Sequence, residues 1–327
     1  MSAAVSGRRQ LLIDTDTASD DAVALIMALR SPEVEVVGIT VVAGNVPLEQ
    51  ATQNALYTTE LCGSDVPVFG GAAEPMRRKL ETAQWFHGRD GLGDHGYAPS
   101  HRKPASENAV DAVIRIIGAH PGIELITLGP LTNVALALQR EPRLVRNISR
   151  CVVMGGAPCC EGNATAAAEF NIWVDPEAAQ IVFRSGLRIE MIGWQLSRGA
   201  AAVNEDEIEE ILRLSTPLAD FAVRCNSVAI EAYLTQTGER GICLPDPVAM
   251  SVLLEPGLCR QSSKHYVEIE TASELTRGMT VVDRLNVAGD SRNAGVWERA
   301  LRTNAKASVC WELDIAGWKA ALMRALQ

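Results

Sequence analysis

Leu11-Leu12-Ile13-Asp14-Thr15-Asp16-Thr17-Ala18-Ser19-Asp20-Asp21-Ala22-Val23-Ala24-Leu25-Ile26-Met27-Ala28-Leu29 is the stretch that decides the fold. It opens as a short apolar run, crosses four aspartates, and continues as an apolar helical pattern. The acids therefore sit where a buried strand ends and a helix begins. Acids in a helix's first turn complement its dipole, and Asp or Ser is a common N-cap. Capping accounts for Ser19, Asp20 and Asp21, but not for Asp14 and Asp16 at the end of a hydrophobic strand. Like charges this close repel unless something positive compensates them. A hard cation with oxygen ligands is the natural compensator.

Working outward, strand and helix alternate through the first two-thirds of the chain. Leu11–Ile13, Val34–Val42, Val66–Phe69, Ile123–Thr127, Cys151–Met154 and Ile189–Ile192 read as strands. Asp20–Arg30, Leu48–Cys62, Glu107–Ala119, Leu131–Glu141 and Pro176–Ser185 read as helices. Repeated βα units imply an α/β fold: a mostly parallel, doubly wound, Rossmann-like sheet with helices on both faces. Residues 204–255 add a mainly helical region. His265–Glu270 and Met279–Asp283 form a small antiparallel edge, Val309–Leu313 a last strand and Ala316–Leu326 a closing helix. No linker, repeat or low-complexity block divides the chain, so one domain is expected over 11–327, with a flexible tail at 1–10. Residues 72–105 are irregular, and an ordered loop of that length is often a functional lid.

Composition narrows the function. Of 327 residues, 47% are apolar, which excludes global disorder. Thirty basic against forty acidic residues give a net charge of −10. That balance argues against a nucleic-acid polymer or an anionic membrane as partner and fits a small neutral or cationic substrate. Eight cysteines show no zinc spacing, and free thiols in a reducing, cytoplasmic setting are expected. No apolar run is long enough to span a membrane.

The polar residues follow a positional rule. Ligands of doubly wound sheets bind outside the carboxyl ends of the strands. Gly44-Asn45, Leu128-Gly129-Pro130-Leu131-Thr132-Asn133, Met154-Gly155-Gly156 and Gly193-Trp194-Gln195 each follow a strand, as the aspartates do.

Together these pieces match a family. The chain resembles the inosine-uridine nucleoside hydrolases along nearly its whole length. The match rests on Asp14 to Asp21, Val42-Ala43-Gly44-Asn45, His87-Gly88-Arg89-Asp90-Gly91-Leu92-Gly93, Gly129-Pro130-Leu131-Thr132-Asn133, Val153-Met154-Gly155-Gly156, Ala168-Glu169-Phe170-Asn171 and Asp246-Pro247. The resemblance implies hydrolysis of the N-glycosidic bond of ribonucleosides to ribose and free base, with bound Ca²⁺. It places metal ligands on Asp16, Asp21, Asp246 and the carbonyl of Leu128. It places substrate-binding groups on Asp20, Asn45, Met154, Asn163, Glu169, Asn171 and Asp246. Asp16 would be the general base that activates a metal-bound water. Carboxylates and amide oxygens near the ribose suit a transition state with positive charge on the sugar. The family's habit implies a homodimer or homotetramer.

Two departures stand out. The family's first motif usually carries a glycine where this chain has Thr17-Ala18, so the turn must form without a positive φ. Pro245 stands where many members have a histidine thought to protonate the leaving base, and proline cannot donate a proton. His87 is the candidate for contact with the base, and Trp85, Phe86, Trp194, Asn226 and Tyr233 could line its pocket. His95, His101, His120 and His265 read as surface or loop residues. Two rivals remain. Asp14-Thr15-Asp16-Thr17-Ala18 superficially matches the nucleophile motif of haloacid-dehalogenase-type phosphatases, which need Mg²⁺, a later lysine and a second acidic pair; Gly289-Asp290 is the nearest to such a pair. A non-catalytic, metal-dependent nucleoside-binding protein would keep the ribose groups and lack turnover.

Overall fold

The computed structural model describes residues 7–304 and 306–327. In chain order its elements begin β1 (Arg9–Thr15), α1 (Ser19–Arg30), β2 (Val34–Val41), α2 (Leu48–Leu61), β3 (Val68–Gly70), α3 (Gln84–His87) and α4 (Ala109–Ala119). They continue as β4 (Ile123–Thr127), α5 (Thr132–Arg140), β5 (Ile148–Met154), α6 (Phe170–Val174), α7 (Pro176–Phe183) and β6 (Ile189–Ile192). Four helices follow: α8 (Glu205–Arg213), α9 (Pro217–Arg224), α10 (Ser227–Thr237) and α11 (Pro245–Leu254). The chain closes through β7 (Cys259–Ile269), β8 (Thr280–Val282), α12 (Ala294–Thr303), β9 (Lys306–Leu313) and α13 (Ile315–Leu326).

The strands form one sheet in the order β3-β2-β1-β4-β5-β6-β9-β7-β8. All pairings from β3 to β9 are parallel, and β7 runs antiparallel to both β9 and β8. The expected doubly wound α/β sheet, helical region and antiparallel edge are all present. The strand order reverses between β1 and β4, so the ligand-binding crevice of such a sheet falls at their carboxyl ends.

The central strands are apolar without alternation because both faces are covered. Leu11 and Ile13 join the core on one face and Leu12 the core on the other, as the two-residue period of a strand requires. Helix α1 is buried from Ser19 to Ala28, packed among α2, α9, α11 and α13. A helix surrounded on all sides must be apolar on all sides, and that is why Ala22 to Leu29 carries no polar residue. Helix α11 is buried from Asp246 to Leu253 for the same reason.

Several boundaries differ from the sequence reading. Strand β1 begins at Arg9 rather than Leu11, so Arg9 and Gln10 are not tail; residues 1–6 lie outside the described residues. The Arg9 guanidinium pairs with Glu124 at 2.8 Å and donates to the carbonyls of Leu253 and Leu254, closing the end of α11. Strand β7 starts at Cys259, well before His265, because pairing with β9 extends it through a solvent-exposed polar stretch. His265 is buried on β7 instead of lying at the surface. Helix α12 has no counterpart in the sequence reading; its buried contacts are few, chiefly Trp297 and Ala300.

One buried amide fastens the centre of this frame. The Asn133 Nδ2 group donates to Asp14 Oδ1 at 2.9 Å and to the Val41 carbonyl at 3.0 Å, while its Oδ1 accepts from the Ala72 amide. Asn133→Ala takes a donor from the Val41 carbonyl and an acceptor from the half-buried Ala72 amide and leaves Asp14 Oδ1 with Thr40 alone, at about 1–3 kcal/mol for a buried group left unpaired. A loss of at least about 2 kcal/mol in urea unfolding is expected; a smaller loss would mean that the amide is replaceable.

Candidate active site

Each element delivers its polar groups to the same end of the sheet. Strand β1 ends in Asp14 and Thr15, followed by Asp16. Helix α1 opens with Asp20 and Asp21. The β2–α2 turn brings Asn45, the β4–α5 turn Leu128, β5 Met154, and the first turn of α11 Asp246. The Ala18 backbone is extended, at φ −114° and ψ −153°, so the turn forms without glycine. The Asp21 carboxylate reaches back to accept from the Ala18 amide at 2.9 Å, which fixes the start of α1. Pro245 takes the first position of α11, where its missing N–H leaves nothing unpaired.

The acids are buried and differently held. Asp14 Oδ1 accepts from Thr40 Oγ1 at 2.6 Å as well as from Asn133. Asp21 accepts from Thr15 Oγ1 and from Asn45 Nδ2, at 3.2 Å in the latter case. Asp16 Oδ2 accepts from the Asn45 amide at 2.7 Å. Asp16 Oδ1 and Asp20 Oδ1 are buried without any partner. Burial, reinforced by the neighbouring carboxylates, pushes Asp16 and Asp246 well above the usual carboxylate range. Burial and Asp21 raise Asp20 to about 8, and burial raises Asp14 to about 7. The oxygens of Asp20, Asp21 and Asp246 come within 4.8 Å of one another. Asp20, which the resemblance gives to the ribose, thus joins this close trio, and Asp16 lies beside it.

An all-oxygen donor set with unpartnered oxygens and, among the described residues, no arginine or lysine partner suits a hard divalent cation. His87 does not supply the charge. Its Nδ1 stands 3.8 Å from Asp20 Oδ1, but burial lowers its pKa to about 3, so the ring is neutral. Its hydrogen-bond partner is Ser19 Oγ, at 2.8 Å.

Glu169 caps α6, accepting from the amides of Asn171 and Gly156 at 2.8 Å and of Ile172 at 3.3 Å. Asn171 Nδ2 donates to the Leu128 carbonyl at 2.8 Å and to that of Met154 at 3.3 Å. Asn163 Oδ1 accepts from the Phe170 amide at 2.9 Å. These residues edge a cleft of about 310 Å³ that also contains Asp20, Asn45, His87 and Asp246. Asp16 and Asp21 are fully buried and do not line it. Trp85, Phe86, Trp194, Tyr233 and Pro245 form part of the wall, whereas Asn226 is buried outside the lining, bonded to the Ala222 carbonyl. Glu81, Phe170, Trp173 and Gln236 line the cleft without having been foreseen. Phe170 and Trp173, three residues apart on α6, were open to inference as one helical face.

A sequence model described as inosine-uridine preferring nucleoside hydrolase matches residues 11–317. The chain belongs to that family. It is 40% identical over 295 residues to a pyrimidine-specific ribonucleoside hydrolase of Shewanella sp. (strain ANA-3), covering 88% of this chain and 91% of the relative. A solved plant nucleoside hydrolase superposes with a TM-score of 0.90 at 29% identity, covering 98% of this chain and 99% of the other. A purine-preferring ribonucleoside hydrolase from Gardnerella vaginalis gives 0.85 at 31% identity, covering 97% and 98%. The nucleoside hydrolase family carries the activity: N-glycosidic hydrolysis of ribonucleosides to ribose and base. The phosphatase reading falls with this match, and Asp290 pairs with Arg292 instead of entering the cleft.

Two glycines hold Asp16 in place. A Cβ on Gly129 would lie 2.5 Å from Asp16 Oδ1, and one on Gly44 2.1 Å from Asp16 Oδ2. Gly129→Ala must displace the Asp16 carboxylate and should lower kcat/KM about 100-fold; unaltered kinetics would show that Asp16 need not stay where it is.

The raised carboxylates fix the sign of a pH effect. In the cation-free protein they favour the protonated form more than the unfolded chain does. Their contribution to stability is therefore full below pH about 4 and is lost as pH rises toward about 8, the Asp20 value, whereas buried His87, its pKa lowered to about 3, costs stability as pH falls below the ordinary histidine range. Thermal unfolding in a chelator should show this fall, and a saturating divalent cation should flatten it. A melting temperature insensitive to both would refute the buried-charge account.

Proposed function

We propose that the protein is a Ca²⁺-dependent ribonucleoside hydrolase acting on purine or pyrimidine ribonucleosides, with Asp16 as general base. The observation that carries this reading is the buried set Asp16, Asp20, Asp21 and Asp246, left without an arginine or lysine partner among the described residues. Asp16, Asp21, Asp246 and the Leu128 carbonyl would hold Ca²⁺. A bound Ca²⁺ would lower the pKa of a coordinated water and hold ribose hydroxyls.

The chain's own residues do the rest. Asp20, Asn45, Met154, Asn163, Glu169, Asn171 and Asp246 bind the ribose, their spare oxygens and amides meeting its hydroxyls. Asp16 takes the proton of the attacking water through the oxygen left free by Asn45. The carboxylates around the sugar stabilise the positive charge that develops as the bond to the base breaks. His87 contacts the base as a neutral ring. Eight unpaired cysteines support a cytoplasmic setting. Among the described residues no helix is long and apolar enough to cross a membrane. A homodimer or homotetramer is consistent with exposed Leu285, Val287 and Val296.

Incubating the Ca²⁺-loaded protein with inosine, uridine, adenosine, guanosine and cytidine, and assaying free ribose, tests the reading. Ribose release from at least one is expected. No release from any would favour the non-catalytic binder. Asp16→Ala should cut kcat by at least about 100-fold with the fold retained by circular dichroism; an active variant would remove Asp16 as base.

A further inference from the structure

Outside the acid cluster, the buried cation Arg277 is incompletely satisfied. Arg277 lies in the turn between β7 and β8 and is only 8% exposed. Its guanidinium stacks over the Trp173 ring, 4.3 Å from the centroid, and its Nε donates to the Trp173 carbonyl at 3.1 Å. Its Nη1 stands 3.4 Å from Glu81 Oε1, and its Nη2 is buried with no partner. Gly278, at φ +77°, lets this turn sit against α6, because a Cβ there would lie 2.7 Å from the Trp173 Cα.

Both contacts reach the cleft. Trp173 and Phe170 on α6 line it, next to Glu169 and Asn171 of the same segment. Glu81 lines it from the 72–105 loop, ahead of Thr82, Ala83 and His87. The same loop is tied to the same hairpin a second time, by Arg78, which forks onto Glu177 and donates to the Thr271 carbonyl.

We propose that Arg277 is a positioning residue for the nucleoside, setting the spacing between α6 and the 72–105 loop across the cleft; this rests on the hydrolase reading above. Buried side-chain donors are in the large majority paired. Here Nη2, with two N–H donors, is idle and the single carboxylate partner is loosely placed, its side chain 57% exposed. A small inward movement of Glu81 would convert the contact into a bidentate pair and satisfy Nη2. Substrate that excludes water from the cleft strengthens that pair, so binding and pairing favour each other.

The test compares Arg277→Met, Glu81→Ala and the double variant with wild type, using the best substrate of the five-nucleoside panel with Ca²⁺ present. Each single variant should raise KM about 5- to 20-fold with kcat changed less than about threefold. The double variant should be no worse than Arg277→Met alone. Glu81 is exposed enough that its removal leaves folding intact, so its effect on KM separates positioning from stability. A wild-type KM in Glu81→Ala, or effects that multiply in the double variant, would overturn the proposal. If wild type hydrolyses none of the five, the hydrolase reading fails first and the inference goes with it.

Discussion

Burying a carboxylate is expensive unless its charge is met, and Asp14, Asp16, Asp20, Asp21, Glu169 and Asp246 are all buried around one end of this sheet. The chain meets part of that cost itself. Hydroxyls of Thr15 and Thr40, amides of Ala18, Asn45, Gly156 and Asn171, and the side chain of Asn133 all point at these oxygens. The first turns of α1 and α11 bring positive dipole ends to Asp20, Asp21 and Asp246. Dipoles and hydrogen bonds lessen the repulsion without cancelling several unit charges, and the remainder is what a bound divalent cation would supply. Much else in the fold serves this balance, including the all-apolar helices that carry the acids inward and the two glycines that leave room for Asp16.

The acids then divide by what surrounds them. Asp14 is fastened to β2 and α5 through Thr40 and Asn133 and never reaches the cleft. Asn133 also holds the Ala72 amide, so the residue that steadies the acid frame steadies the root of the 72–105 loop. Asp14, Asp16 and Asp20 each keep one buried oxygen without a partner, and of the three Asp20 borders the cleft. Asn171 binds the carbonyls of Leu128 and Met154 together, joining what the proposed reading makes the cation side of the site to its ribose side.

What was legible in the sequence follows from where the physics is local. The buried strands and the helices α1, α2, α4, α5 and α7 announce themselves by apolar period and by turn residues, and the relatives confirm the family that the motifs indicate. The extension of β7 to Cys259 was not legible, since it depends on pairing with β9, whose residues lie some fifty positions away. The short helix α6 hides in a segment read as motif, its start set by the Glu169 cap. Asn226 was misplaced because an amide on a helical segment gives no sign of which way it faces. Arg277 and Glu81 stand nearly two hundred residues apart and meet only through the tertiary fold.

Pro245 shows how separable the two halves of the reaction are. It begins α11 and sets Asp246 in the first turn, so on the proposed reading the position serves the cation side whatever its side chain does for the base. A histidine there would be held by the same helix as a cation-site acid; a proline leaves the base to α3, α10 and Trp194, which line the rest of the cleft. His87 does not replace the missing acid, because a ring with a pKa of about 3 is neutral and holds no spare proton at neutral pH. General acid catalysis needs a pKa near the working pH. On the proposed reading, bond cleavage therefore leans on stabilising the sugar's positive charge, which the buried carboxylates provide, and less on protonating the base. The charge that makes this site costly to fold is then the charge that drives its chemistry.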